Sequence, residues 1–242
     1  MISSMQTSAN GWTIIDAEAG VLSLTYGFSG EGQANCFTAR LADGKLMIIS
    51  PPSRISGAAL DELRPHGDVG AIVANNGYHH LGISAWRERF PEARCFAAEG
   101  AAKRIAKNSK DAGKLEPLSA LQPLLSSDVA VIEAPSSKAG ETWAWAKING
   151  GYAWYASDIL ANMELPKSFV VRTLFKLSKS APGYRVFNLA VKLILKDKKA
   201  SLGAMLSDIQ GHPPTVMVPA HGGIVESPTL AADTEKLLRD AM

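Results

Sequence analysis

Apolar positions along this chain fall into two rhythms. Short continuous or alternating apolar runs are bounded by Gly, Pro, Asn or Asp. Between them lie stretches whose apolar positions recur three or four residues apart. Residues 13–51 are β-like, and 35–50 read as a hairpin turning at Ala42-Asp43-Gly44-Lys45. Residues 53–64 place Ile55, Ala58, Leu60 and Leu63 loosely on one side of a helix. Residues 69–74 form a short run rich in β-branched side chains, the pattern of a buried strand. The loop 75–82 follows, then a helix to Arg89 with Ser84 as its N-cap and Pro91 as its stop.

Further along, 94–98 predict a strand, 100–107 a helix and 128–134 a strand. Residues 142–158 predict a hairpin turning at Asn149-Gly150-Gly151. Residues 167–199 predict two amphipathic helices joined by Ala181-Pro182-Gly183. A last core strand, 215–219, runs into Ala220-His221-Gly222-Gly223, and a final helix starts near Ser227 or Pro228 and runs toward Leu238. Strands and helices alternate, but several strands are hairpin-linked. The expected class is therefore a layered α/β (α+β) fold and not a simple doubly wound parallel sheet.

Composition narrows the class. A chain of 242 residues, 46% hydrophobic, can bury a sizeable core, which excludes wholesale disorder. The two cysteines, Cys36 and Cys95, are far apart and form no CxxC pair. They make neither a disulfide framework nor a thiolate zinc site, and point to a reducing cytoplasm. Residues 1–12 carry no Lys or Arg and no apolar segment, so no secretory signal is expected there, and no stretch of about 20 apolar residues predicts a transmembrane helix. Ser29-Gly30-Glu31-Gly32 lacks a phosphate-loop pattern and reads as a plain turn.

The formal net charge of +2 hides a segregation. Residues 167–199 hold nine cations against one anion, Asp197, a net of +8, which leaves −6 for the rest of the chain. Four readings stand for this segment: a solvated face, a lid, a dimer contact, or a weak contact with an anionic surface or substrate. Stacking and groove-reading motifs are absent, so nucleic acid is not an expected partner.

Candidate chemistry lies at strand ends. Of five histidines, His79 and His80 are adjacent in the loop after one core strand, and His221 follows another. Asp158 ends a hairpin strand. Ligands in α/β folds gather at such ends, and imidazole with carboxylate suits zinc, iron or manganese. The same residues also have plain structural roles open to them: loop histidines, and Asp158 as the N-cap of a helix from Ile159. Trp143 and Trp145 share one strand face, with Ala144 and Ala146 opposite, as sheet packing or as a stacking wall for a substrate. His212 and His66 read as loop residues, His212 with the option of lining a pocket.

These residues in this order resemble the metallo-β-lactamase fold superfamily. That family has a His-x-His-x-Asp-His loop after a strand, a middle His before a Gly, and an Asp after a later strand. Its final His lies in a Pro-Gly-His-Gly-like turn. Here the loop reads Asn75-Asn76-Gly77-Tyr78-His79-His80-Leu81-Gly82, the later Asp is Asp158, and the last turn is Pro219-Ala220-His221-Gly222. Trp86, Phe90-Pro91, Ala93 and Gly100 also look like an uncharacterised branch with a His-His pair in place of Asp-His.

The resemblance implies an αββα sandwich in one domain, residues 1–242, with a basic helical insertion at 164–208. It implies a metal-dependent hydrolase-like activity on an unknown small molecule, or a non-catalytic binding or scaffold protein that keeps the fold. The family's first metal position falls on Asn75, Gly77 and, by a loose match, Ser137, none a good zinc ligand, and is expected empty. The second falls on His79, His80, Asp158 and His221. One divalent metal or none is therefore expected, with His80, Asp158 and His221 as ligands and His79 as fourth ligand or nearby base. The candidate catalytic residues are His79 and Asp158. A homodimer is a further expectation.

Overall fold

The structure is a computed structural model that describes residues 5–29 and 32–242. The first four residues of the segment read for a leader, and Gly30 and Glu31 of the early turn, lie outside the described residues. Eight strands follow one another across the first sheet: β1 (Gln6–Thr7), β2 (Trp12–Asp16), β3 (Val21–Ser29), β4 (Gly32–Arg40), β5 (Leu46–Ile49), β6 (Val69–Ala74), β7 (Arg94–Ala97) and β8 (Glu116–Pro117). The first five pair antiparallel as hairpins, and β5 to β8 pair parallel. The parallel crossovers carry α1 (Gly57–Asp61), α2 (Ile83–Arg89) and α3 (Glu99–Asn108).

A second sheet is built from β9 (Val129–Glu133), β10 (Thr142–Ile148), β11 (Gly151–Ser157), β14 (Pro214–Pro219) and β15 (Val225–Glu226), in the spatial order β15-β14-β11-β10-β9. Between β11 and β14 the chain makes a two-stranded ribbon, β12 (Leu160–Met163) with β13 (Gly183–Val186), and three helices: α4 (Phe169–Leu177), α5 (Asn188–Ile194) and α6 (Lys198–Gly211). The last helix is α7 (Leu230–Ala241).

Strand alternation explains why the layers stack. In β6, Ala71 and Val73 enter the core between the two sheets, while Ile72 and Ala74 face a second core shared with Trp86, Ala101 and Ile105 of α2 and α3. In β10 and β11, Ala144, Ala146, Ala153 and Tyr155 face the first sheet. Trp143, Trp145 and Trp154 face the other way, into a third core with Leu202, Met205 and Ile209 of α6 and Leu230 and Leu238 of α7. On β10 and β11 these alanines lie between the sheets and the tryptophans pack against the helices. Three cores between four layers make an αββα sandwich.

The tryptophan face is therefore packing. The Trp143 and Trp145 indoles donate to the two carboxylate oxygens of Asp208 on α6, at 2.7 and 3.2 Å, and His212 stacks on Trp145 at 3.9 Å. Asp208→Ala would leave two indole donors without partners. At about 1–3 kcal/mol per unsatisfied group, a loss of about 2–4 kcal/mol is expected as a lower urea midpoint with unchanged slope.

Three local expectations are corrected. Helix α2 starts at Ile83 with Gly82 at its N-cap, not at Ser84, whose hydroxyl donates to Asp111 instead. Space keeps residue 82 a glycine: a Cβ there would lie 2.1 Å from the Pro51 carbonyl oxygen. Ile159 starts no helix; Asp158 occupies the turn from β11 into β12. After Pro182, the expected second basic helix opens as strand β13, because its Val186 pairs with Leu160 and Tyr184 with Asn162; helix returns only at 188–194 and again, as α6, from Lys198.

Candidate metal centre

Four strand ends and one hairpin build the site. His79 is on the loop after β6, Asp158 follows β11, His221 follows β14, and Ser50 follows β5. Ser50 and Ser157, both fully buried, adopt left-handed φ values of 55° and 52°. These backbone turns at the strand tips re-aim the chain, the kind of local strain that clusters at functional sites.

The loop 75–82 is held by an asparagine. The Asn76 side-chain oxygen accepts from the backbone N–H of Tyr78 (2.8 Å) and His79 (3.2 Å). Its amide donates to Asp158 Oδ2 (2.9 Å) and to Glu141 (2.7 Å). Glu141, also fully buried, accepts in turn from the Asp158 backbone N–H. Asn35, on β4, does the same for the last turn: its amide donates to the carbonyls of Pro219 (2.8 Å) and Gly222 (2.7 Å).

Within that frame His79, Asp158 and His221 converge. One ligand atom from each lies within 4.8 Å of the others. Asp158 Oδ1 is 3.3 Å from His79 Nε2 and 3.2 Å from His221 Nε2. The opposite ring nitrogens are engaged: Nδ1 of His221 with the Gln33 carbonyl (2.7 Å) and Nδ1 of His79 with the Ser50 hydroxyl (2.8 Å), which bonds Tyr26 (2.8 Å). This leaves the Nε2 atoms facing the carboxylate.

Electrostatics follow from crowding. Burial would raise the Asp158 carboxyl, but the two imidazoles override it and hold the group well below the usual carboxylate range. Burial and then the Asp158 charge push Glu141 well up. His221 is raised because the Asp158 contact outweighs its desolvation.

Not every candidate joins the cluster. His80 is half-buried, its Nδ1 lacks a hydrogen-bond partner, and burial lowers its pKa. It lies outside the convergent set, which turns on His79. Asn75 donates to Ser157, and the Ser137 hydroxyl bonds the Ile194 carbonyl and the N–H groups of Ala139 and Glu141. Gly77 lies under Arg104, whose Cδ would be 2.6 Å from any Cβ there, and the Arg104 guanidinium stacks on Tyr78 at 4.0 Å. Asn76, Glu141, Ser50 and Asn35 have no counterpart among the residues selected from sequence. The nearest signal was the polar run Asn75-Asn76 directly after an apolar strand.

The site opens into a cavity of about 200 Å³ with an apolar lip of Phe28, Tyr78 and Leu81. Phe28 stands edge-on to His221 at 5.9 Å.

No protein-family model matches the chain, and no curated protein sequence matches it. Solved structures do. DIM-1 metallo-β-lactamase aligns over 98% of this chain and 97% of its own at 13% identity and a TM-score of 0.57. FIM-1 metallo-β-lactamase from Pseudomonas aeruginosa, solved in a mono-zinc form, aligns over 98% and 95% at 11% identity and 0.55. A putative diflavin flavoprotein from Nostoc sp. PCC 7120 aligns over 97% and 99% at 14% identity and 0.55. The chain has the metallo-β-lactamase fold.

Proposed function

We propose that this chain is a metal-dependent, hydrolase-like protein that holds a single divalent cation through His79, Asp158 and His221. One observation carries the reading: Asp158 Oδ1 is buried, has no hydrogen-bond partner, and faces two imidazole nitrogens at 3.2–3.3 Å. Ligands about 2.0–2.1 Å from a tetrahedral ion are about 3.3–3.4 Å apart, and the two carboxylate–imidazole separations match that spacing, with all three atoms within 4.8 Å of one another. The hydrogen bonds of both Nδ1 atoms are the outer contacts that fix ligand histidines in orientation. Two imidazoles with one carboxylate also suit iron or manganese.

A bound divalent cation supplies Lewis acidity toward a water or a substrate carbonyl or phosphoryl oxygen. The protein's own residues do the rest. Asn76 keeps Asp158 aimed inward through Oδ2. Ser50 and Tyr26 hold the His79 ring. Phe28, Tyr78 and Leu81 shield the mouth from water. His79 serves this arrangement as a ligand and not as a base, because its Nε2 already faces Asp158.

Protein purified without an affinity tag, after supplementation with zinc, iron or manganese, is expected to carry about one equivalent of metal. Less than about a tenth of an equivalent would sink the reading. An ester, lactone and phosphoester panel then tests turnover. A second reading, a binding or scaffold protein, is favoured by the Arg104 stem lying over Gly77 and by a cavity below the roughly 300 Å³ of usual ligand sites. Full metal loading with no turnover across the panel would support it.

A further inference from the structure

Helix α4 leaves its apolar face in water. None of its residues is buried, and Phe169, Val170, Leu174 and Leu177 are 79%, 75%, 51% and 79% exposed. At about 3.6 residues per turn, Val170, Val171, Leu174 and Leu177 fall on one arc, with Arg172 and Lys176 on the other. Only Phe175 turns inward, its ring 5.8 Å from Phe187, which stands 6.0 Å from His221. Proteins rarely leave a contiguous apolar face exposed unless something covers it.

Charge indicates what covers it. Seven cations of this segment are exposed: Lys167, Arg172, Lys176, Lys179, Lys192, Lys196 and Lys199. Six are lysines. Protein interfaces favour arginine and are depleted of lysine, whereas anionic headgroups attract diffuse lysine charge. The remainder of the chain is net negative, so this segment carries the chain's excess of positive charge. An amphipathic helix with a cationic flank is the form that lies flat at a lipid–water boundary.

We propose that α4 docks this protein on an anionic lipid surface. Val170, Leu174 and Leu177 enter the headgroup boundary, and the lysines of residues 167–199 meet the lipid charge. The rings of Phe175, Phe187, His221 and Phe28 run in series from this helix to the cavity lip, where Phe28, Tyr78 and Leu81 are 42%, 42% and 55% exposed. The proposal does not depend on the metal reading.

Flotation of the full chain with phosphatidylcholine vesicles, with and without phosphatidylserine, tests it. Binding is expected only with phosphatidylserine, and is expected to weaken by about tenfold or more at high salt. Leu174→Asp with Leu177→Asp should abolish it with unchanged thermal unfolding, since both residues are exposed. Lys176→Glu with Lys192→Glu should weaken it by about tenfold or more. Absence of binding to either vesicle overturns the proposal. So does equal binding to both, or binding that survives the leucine variant. A dimer in solution that the leucine variant dissociates would assign this face to a second copy of the chain and overturn it as well.

Discussion

Asp158→Asn is expected to abolish tight divalent-cation binding while leaving the fold intact. The asparagine keeps an oxygen where Asp158 Oδ2 accepts from Asn76, and turns its amide toward the two Nε2 atoms in place of Oδ1. An amide nitrogen donates to those imidazoles and cannot ligate. A protein zinc site of roughly 10–16 kcal/mol, shared over four ligands, gives about 3–4 kcal/mol each, so affinity should fall by about 10²–10³. Competition titration against a chromogenic chelator reads this directly, and far-UV circular dichroism should not change. If the variant binds zinc as tightly as the parent chain, the three-residue centre is wrong.

Gly222→Ala is expected to destabilise the whole protein and loosen the centre together. Gly222 has φ +94°, and a Cβ there would lie 1.9 Å from the Asn162 carbonyl oxygen. That carbonyl accepts from the Gly223 N–H, and the Asn162 N–H donates to the carbonyl of His221. Neither side can yield without breaking the tie between the last turn and β12. Backbone strain of about 1–2 kcal/mol and overpacking of about 1–3 kcal/mol give about 2–5 kcal/mol in all. For a chain of this size the midpoint should fall by about 5–15 °C in a thermal melt. Because His221 precedes the displaced residue, metal affinity should fall as well. A variant with an unaltered melt would show that the turn can relax at no cost.

Sequence period carried the layers. Ala71 and Val73 against Ile72 and Ala74, and Trp143 and Trp145 against Ala144 and Ala146, show their two faces by alternation alone. Strand-end histidines were legible for the same reason, since the loop begins where the apolar run stops. The polar frame was not. Asn76 meets Glu141 across 65 residues, Ser50 meets His79 across 29 and Asn35 meets Gly222 across 187, and contacts at such separations leave no local pattern. The choice of His79 over His80 depends on which ring the Asn76 turn swings inward. The strand after Pro182 was hidden because Val186 and Phe187 also suit a helix face, and pairing with β12 decides the matter.

The centre draws its members from both sheets. His79 hangs from the first, while Asp158 and His221 hang from the second, with Asn35 and Asn76 reaching across the same seam. A cation held there would act as a rivet through the mouth of the sandwich. While bound it would oppose parting of the sheets at that end, and so would lengthen the lifetime of the folded chain by slowing its unfolding, whatever substrate it serves.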